Sequence, residues 1–216
     1  MDIKKTVLLE IDVQNDFCPG GALAVDRGDA VIAPINAAAA ALFRAGGRVA
    51  ATQDWHPAGH ISFASAHAGK KAGDTVTVPG GGIQALWPDH CVQGQHGSSF
   101  HEKLDLRPVS LIIRKGCSAG LDSYSAFFEN DRKTPTGLAG WLRGLTIETV
   151  VLGGLATDYC VFYSAMDAKN LDFQTIVLSD AIQGVGFPEG SVEKATAEMK
   201  AAGITFTGSA EFIGGL

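Results

Sequence analysis

The sequence predicts a three-layer α/β/α sandwich whose central sheet has six mainly parallel strands. Short apolar runs alternate with helical segments along the chain, as is typical of parallel strands joined by right-handed crossovers. The chain has 216 residues, 46% of them hydrophobic, which suits one domain with a substantial core. No internal repeat or linker divides it, so we expect a single domain over residues 1–216.

The first elements show the alternation most clearly. Thr6–Asp12 is an apolar run too compact for a helix, and it predicts a central strand buried on both faces. Asp29 is expected to cap an alanine-rich helix that ends near Gly46 and Gly47. The later elements continue the pattern. They are strands over Arg48–Gln53, Val109–Arg114, Thr149–Gly153, Gln174–Ser179 and Ile204–Thr207, a helix from about Thr157 to Asn170, and a helix from a cap at Ser191 to Ala202 and Gly203.

One long stretch, residues 54–104, has little periodicity and is rich in glycine, histidine and proline. Such a segment inside a compact domain is usually functional. We therefore expect an irregular region here that contributes to a site.

Composition excludes several classes of function. The formal net charge is −6, without a block of like charge, so a nucleic-acid partner is not expected. No run of 18 apolar residues exists, and Met1–Lys5 leads directly into a strand, which predicts a cytoplasmic protein without a membrane partner. The four cysteines form no CxxC pair, so a disulfide framework is not expected, and three of them are interpreted as small buried residues.

Chemically capable residues follow several of the predicted strands. In open parallel sheets, ligands bind outside the carboxyl ends of the strands, where the strand order reverses. Asp12, Asp54 and Lys115 end the first three strands, and a glycine turn after the fourth leads to Cys160. The sequence thus predicts a site with two acids, a lysine and a cysteine on one rim.

Cys160 is a candidate nucleophile because it lies at the start of a predicted helix. The helix dipole and free backbone N–H groups there favour an anion, so a thiolate with a lowered pKa is expected. The same N–H groups suit an oxyanion hole. Plain packing of a buried cysteine is the alternative, and the residue alone does not decide between the two.

Two further rim residues have a functional and a structural interpretation. Asp12 ends an apolar strand. It is either a turn carboxylate that faces solvent or caps the following loop, or a base beside a thiol, since a carboxylate here is costly unless it is paired. Asp16 is interpreted instead as bonding the backbone of its own loop. Lys115 either extends to water or lies between Asp12 and Cys160 as a cation that favours both anions.

A second group of residues suits a metal ion. Asp54 and His56 are two positions apart, so in an extended segment both face the same side, and His90 lies in a distant loop. One carboxylate and two or three imidazoles suit Zn, Fe(II) or Mn with positions left open. His67, His96 and His101 are interpreted as ordinary surface residues.

Taken together, these residues resemble the nicotinamidase and pyrazinamidase branch of the isochorismatase-like hydrolases. The resemblance spans nearly the whole chain. It is carried by IDVQNDFCPGGALAV (Ile11–Val25), TQDWHPAGHISF (Thr52–Phe63), LWPDHCVQG (Leu86–Gly94), IRKG (Ile113–Gly116) and GGLATDYCV (Gly153–Val161).

The resemblance implies a reaction, the hydrolysis of nicotinamide to nicotinate and ammonia in NAD salvage, with pyrazinamide as a further substrate. It implies that Cys160 attacks the carboxamide carbon, that Asp12 moves the proton and that Lys115 orients the pair. The amides of Ala156 and Cys160 match the oxyanion hole, and Leu155–Ala156 matches the family's cis peptide.

The resemblance also implies the binding groups of the site. One divalent metal, with Zn preferred over Fe or Mn, would be held by Asp54, His56 and His90, with His60 as an additional or alternative ligand. It would anchor the pyridine nitrogen of the substrate. The residues that match the ring pocket are Phe17, Leu23, Trp87, Tyr124 and Tyr159. Tyr159 is a histidine in some relatives, and the loop over residues 64–82 varies among them.

Three other functions remain open from the sequence. One is a metal-free relative that cleaves another amide, a carbamoyl group or a vinyl ether, against which Asp54, His56 and His90 argue. Another is a metallohydrolase in which metal-bound water is the nucleophile. The third is a non-catalytic nucleotide-binding module, although neither GxGxxG nor GxxxxGK[ST] is present. A homodimer is compatible with all of them.

Overall fold

The computed structural model describes residues 1–78 and 82–216. Its strands are β1 (Thr6–Ile11), β2 (Arg48–Asp54), β3 (Thr75–Thr77), β4 (Ile83–Ala85), β5 (Val109–Lys115), β6 (Thr149–Leu155), β7 (Gln174–Gln183) and β8 (Thr205–Thr207). Its α-helices are α1 (Ile32–Arg44), α2 (Leu138–Gly144), α3 (Phe162–Asn170), α4 (Ser191–Ala201) and α5 (Ser209–Gly214).

Six strands form the central sheet, in the order β5-β2-β1-β6-β7-β8. Every neighbouring pair in it is parallel. All six residues of β1 are buried, as expected for a strand covered on both faces. The apolar side chains of the sheet fall into two clusters, one for each face. Helices α1 and α5 pack on one face, and α2, α3 and α4 on the other. The predicted three-layer sandwich is confirmed.

The strand order reverses between β1 and β6. Strands added after β1 lie on one side through β2 and β5, and the later strands lie on the other side. Ile11 pairs in register with Gly154. A Cβ atom on Gly154 would lie 2.1 Å from the Ile11 carbonyl oxygen, and its φ is +132°, so a side chain is excluded here. The close approach places the residues after β1 and β6 side by side at the crevice where ligands bind in such sheets.

Two predicted helix caps are wrong. Asp29 lies within a 3₁₀ turn, Gly28–Val31, that runs into α1, and no side chain caps that helix. Ser191 is the first residue of α4 rather than its cap, and its hydroxyl donates to Asp158 at 2.5 Å. Both errors have one cause. A polar residue before an apolar run is a capping signal only when the backbone leaves its side chain free to turn back.

Other differences concern the ends of elements and the irregular region. Strand β7 continues to Gln183, four residues past its predicted end, and the turn Thr157–Val161 before α3 is π-helical. Residues 54–104 contain the short antiparallel pair β3 and β4, and α2 and α5 were also not predicted. Within the described residues, no helix is long and apolar enough to cross a membrane.

Candidate active site

Asp12, Lys115 and Cys160 meet at the carboxyl ends of the strands, as predicted. Asp12 follows β1, Lys115 ends β5 and Cys160 lies in the π-helical turn after β6. The Lys115 Nζ atom is 2.9 Å from Asp12 Oδ2 and 3.5 Å from Cys160 Sγ. A carboxylate oxygen of Asp12 lies within 4.8 Å of that sulfur. All three side chains are buried, so their charges act on one another with little screening by solvent.

Lys115 is fully buried, and two carboxylates and a carbonyl surround its ammonium group. It pairs with Asp54 as well as with Asp12, and it donates to the carbonyl oxygen of Ser123 at 3.0 Å. Burial alone would lower the pKa of Lys115, but the two carboxylates outweigh it and hold this pKa well above its usual value. Lys115 is therefore a cation between Asp12 and the predicted metal site.

Asp12 is held by a residue that the sequence did not single out. The Thr52 hydroxyl donates to Asp12 Oδ1 at 2.6 Å, and the Asp12 amide donates to the same hydroxyl oxygen at 3.1 Å. Apart from its ion pair with Lys115, Asp12 Oδ2 has no hydrogen-bond partner in the part of the chain that the structure describes. One carboxylate oxygen is thus fixed, and the other is available to accept a proton.

The expected lowering of the Cys160 pKa is wrong for this structure. Burial raises the pKa of the Cys160 thiol well above its usual value, and Lys115 offsets only part of that rise. Burial also raises the pKa of Asp12, again against the effect of Lys115, which makes its carboxylate a stronger base. The direction of the Cys160 shift favours a thiol over a preformed thiolate, and Asp12 lies beside it as a group that can exchange its proton.

Asp54, His56 and His90 form a buried cluster with the chemistry of a metal site. Asp54 Oδ2 lies 3.4 Å from His56 Nε2 and 3.9 Å from His90 Nε2. The Nδ1 atom of His56 is 2.9 Å from the carbonyl oxygen of Gly116, and that of His90 is 2.8 Å from the carbonyl oxygen of Pro88. Because a carbonyl only accepts, both Nδ1 atoms carry a proton, and each Nε2 atom presents a lone pair when its ring is neutral.

The buried Nε2 atom of His56 has no hydrogen-bond partner among the described residues. An unpaired buried nitrogen is costly, and a metal ion between it, His90 Nε2 and Asp54 Oδ2 would satisfy all three atoms. One carboxylate and two imidazoles suit a divalent transition metal with open positions. The donor set fits a divalent metal.

His60, the additional predicted ligand, is placed differently. Its ring stacks on His56 with centroids 4.2 Å apart. Its Nδ1 is 2.7 Å from the Ser62 hydroxyl and its Nε2 is 3.2 Å from the Leu121 carbonyl oxygen. With both nitrogens engaged, His60 supports the ring of His56 rather than facing Asp54. His56, His60 and Asp122 form a second cluster, in which one nitrogen or carboxylate oxygen of each residue lies within 4.8 Å of those of the other two.

The residues of the predicted ring pocket line one cleft beside Cys160. All five residues that were expected to bind the ring line it, together with Cys160, Asp54 and His90. The lining comprises Phe17, Leu23, Trp87, Tyr124, Tyr159, Ala156, Cys160, Asp54, His90, Asp122 and Val185. Trp87 donates from its indole nitrogen to the Tyr124 hydroxyl at 3.2 Å and packs edge-on against Tyr159. Asp122 and Val185 were not predicted, since nothing local distinguishes them.

Two other expectations are confirmed near the cleft. The Leu155–Ala156 peptide is cis. Asp16 bonds loop backbone, accepting from the amides of Ala22 at 3.1 Å and Cys91 at 2.7 Å. The four cysteines are free. Cys18 and Cys91 are buried as expected, whereas Cys117 is exposed, so its interpretation as a buried residue is wrong.

Known proteins resemble this chain over nearly its whole length. The model of the isochorismatase domain matches residues 6–211. The nicotinamidase of Acinetobacter baylyi is 47% identical over 197 residues, which cover 91% of this chain and 89% of the relative. The nicotinamidase of Escherichia coli is 43% identical over 201 residues, which cover 92% of each protein.

Solved structures agree. A nicotinamidase and pyrazinamidase from Acinetobacter baumanii superimposes with a TM-score of 0.92 at 44% identity, over 98% of this chain and 99% of the other. A protein from L. infantum in complex with nicotinate gives 0.83 at 37%, over 97% and 96%. The pyrazinamidase of Pyrococcus horikoshii in complex with zinc gives 0.78 at 35%, over 94% and 99%. The chain therefore belongs to the isochorismatase-domain family, and within it to the nicotinamidase and pyrazinamidase branch.

Proposed function

We propose that this protein hydrolyses nicotinamide to nicotinate and ammonia in NAD salvage, and that it also converts pyrazinamide to pyrazinoate. One observation carries the proposal. The Cys160 sulfur, the Asp12 carboxylate and the Lys115 ammonium group meet beside a cleft lined by aromatic side chains. The aromatic lining suits the ring of an aromatic amide, and similarity to nicotinamidases supports the substrate.

The reaction follows from the protonation of the site. As the Cys160 sulfur bonds to the carboxamide carbon, its proton passes to Asp12, whose raised pKa suits it to that task. Asp12 then delivers the proton to the amide nitrogen, and the carbon–nitrogen bond breaks to release ammonia. Water adds to the resulting thioester, with Asp12 again taking a proton and returning it to sulfur. Nicotinate leaves and the thiol is restored.

Lys115 and two backbone amides stabilise charge during these steps. The ammonium group of Lys115 contacts both the carboxylate and the sulfur, so it holds the pair in register and stabilises each when it is anionic. The amides of Ala156 and Cys160, beside the cis peptide, form the oxyanion hole for the tetrahedral intermediate.

Asp54, His56 and His90 hold one divalent metal ion, for which zinc is the first choice and Fe or Mn the others. The buried donor set and the zinc complex of the Pyrococcus pyrazinamidase support this assignment. When bound, the ion supplies a Lewis-acid point that anchors the pyridine nitrogen. His60 is a supporting residue for His56.

The substrate ring lies between aromatic side chains. Phe17, Trp87 and Tyr124 sandwich it, and Leu23 and Tyr159 complete the walls. Binding of nicotinate by the similar L. infantum protein supports a ligand of this size and class.

Ammonia release from nicotinamide tests the proposal, with wild type, Cys160→Ala and chelator-treated protein compared. Wild type should release ammonia, and Cys160→Ala should not, while its metal content stays unchanged. Substantial activity in Cys160→Ala would favour the metallohydrolase in which Cys160 only packs. A metal content near zero in protein purified without chelators would favour a metal-free relative with another substrate. A shift in melting temperature with NAD but not with nicotinamide would favour a nucleotide-binding module.

A further inference from the structure

The segment between β7 and α4, residues 184–190, forms part of the wall of the substrate cleft. It contains no helix or strand, yet Val185 lines the cleft beside Cys160. Phe187 is 48% exposed, and its ring lies against Gly73 of another loop, where a Cβ atom would be 3.2 Å from Phe187 Cζ. An irregular segment with an exposed aromatic needs other contacts to hold its position.

Those contacts converge on one carboxylate. Asp158 Oδ1 accepts from the amide of Val185 at 2.9 Å, and Asp158 Oδ2 accepts from the amide of Gly186 at 2.9 Å and from the hydroxyl of Ser191 at 2.5 Å. A fourth bond comes from the next residue, since the Tyr159 hydroxyl donates to the Phe187 carbonyl oxygen at 2.5 Å. Hydrogen bonds therefore join residues 184–190 at several points to one short stretch of chain, which contains Asp158 and Tyr159.

That stretch also carries the nucleophile. Asp158 and Cys160 lie in the same π-helical turn, Thr157–Val161. Asp158 is only 7% exposed, and its three donors all come from the segment and from the first residue of α4. Hydrogen bonds of this kind offset the cost of burying a carboxyl group. The arrangement couples the position of the cleft wall to the position of the sulfur.

We propose that Asp158 is a positioning residue for substrate binding: its carboxylate fixes the Val185 wall at a set distance from Cys160. It touches neither substrate nor reacting atoms. Its effect should therefore appear in the Michaelis constant for nicotinamide rather than in the turnover number. This inference rests on the proposed nicotinamidase function.

A carboxylate is needed here because all three of its partners are donors. Asparagine has the same shape, but it would turn an NH₂ group toward at least one N–H or O–H donor. Asp158→Asn should loosen the segment while it keeps the volume of the side chain.

The matched control is Asp167→Asn. Asp167 is also buried, at 2% exposed, and its carboxylate accepts two hydrogen bonds from Arg132, but it does not line the cleft. It resembles Asp158 in burial and in using both carboxylate oxygens as acceptors, although its donor is a guanidinium. If the rise in KM came only from the loss of a buried carboxylate, it would appear in both variants.

The first experiment measures kcat and KM for nicotinamide. Asp158→Asn should raise KM about tenfold or more, the loss expected for one hydrogen bond to a charged group, with kcat within about threefold of wild type. Asp167→Asn should leave KM within about twofold. Equal KM changes in the two variants, or a loss in kcat with KM unchanged, would overturn the proposal.

Hydrogen exchange supplies a readout that does not depend on catalysis. The amides of Val185 and Gly186 should exchange at least about tenfold faster in Asp158→Asn than in wild type, and not in Asp167→Asn. Unchanged exchange would refute the role of Asp158 even if wild type hydrolysed nicotinamide. Faster exchange in a protein that did not hydrolyse nicotinamide would refute the proposed function instead, while the anchoring by Asp158 would stand.

If Asp158→Asn does not fold, Ser191→Ala takes its place. It removes one of the three donors and keeps the carboxylate. KM should rise severalfold, with kcat unchanged and exchange at Gly186 faster. A folded Ser191→Ala protein with wild-type KM and wild-type exchange would overturn the proposal.

Discussion

Replacing Glu10 with glutamine should stabilise the protein at alkaline pH and leave its stability at acidic pH nearly unchanged. Glu10 lies in β1, the central strand, and is 0% exposed. Within residues 1–78 and 82–216, neither of its carboxylate oxygens has a hydrogen-bond partner. Burial, with a smaller effect from Asp105, raises the pKa of Glu10 from 4.5 to about 8. The folded protein thus keeps a proton that the unfolded chain releases.

The sign and size of the effect follow from linkage. Between pH 4.5 and about 8 the folded state binds more protons at Glu10 than the unfolded state does, so stability falls as pH rises through this window. At 1.36 kcal/mol for each unit of pKa, the free energy of unfolding falls by roughly 3.5 kcal/mol between pH 5 and pH 8 through this one group. Glutamine matches the shape of the protonated acid and cannot ionise, so that loss should disappear.

The assay is thermal or urea unfolding of wild type and Glu10→Gln at pH 5, 6, 7 and 8. The two proteins should differ little at pH 5. At pH 8 the variant should melt about 7 to 14 °C higher, given about 2 to 4 °C for each kcal/mol in a chain of this size. Glu102→Gln, at an exposed position, is the control and should show no such trend. A stability difference that is the same at every pH would refute the buried, protonated state of Glu10.

Three further predictions concern the site. Cys160→Ala should lower ammonia release from nicotinamide by about a thousandfold or more, while its metal content, measured by atomic absorption, stays at the wild-type value. Residual activity near that of wild type would contradict nucleophilic catalysis by Cys160. Lys115→Met leaves two buried carboxylates without their cation and should lower the free energy of unfolding by about 3 to 5 kcal/mol, measured by urea denaturation. A decrease below about 1 kcal/mol would contradict the buried ion pairs. His56→Ala should lose its metal ion on gel filtration, whereas the control His96→Ala, at an exposed position, should retain it. Equal retention by both variants would show that His56 is not a metal ligand.

The fold was predictable because its signals are local. An apolar run of strand length followed by a helical stretch predicts a parallel α/β unit wherever it occurs in a chain. The rim of the sheet was predictable for the same reason, since the last residue of each strand can be read from the sequence. Lys115 ends β5, Asp12 and Cys160 follow the ends of β1 and β6, and the structure brings the three within a few ångströms of one another.

Signals that depend on distant contacts were missed or misread. Asp29 and Ser191 have the residue types of helix caps, but the backbone and a partner 33 residues away use them otherwise. The lowered thiol pKa expected of a helix start does not hold for Cys160, because burial outweighs the nearby Lys115. A helix terminus is a local feature, whereas desolvation depends on everything that packs around the sulfur.

The sequence by itself determined the architecture, the family and the residues of the rim, because these depend on periodicity and on the order of motifs. Only the tertiary structure decided which of these side chains contact one another and through which atoms. Lys115 contacts both Asp12 and Asp54, the Thr52 hydroxyl donates to one oxygen of Asp12, and Asp158 accepts a hydrogen bond from Val185 in the cleft lining. Such contacts join residues tens of positions apart, and each depends on distance and orientation that exist only after the strands have paired.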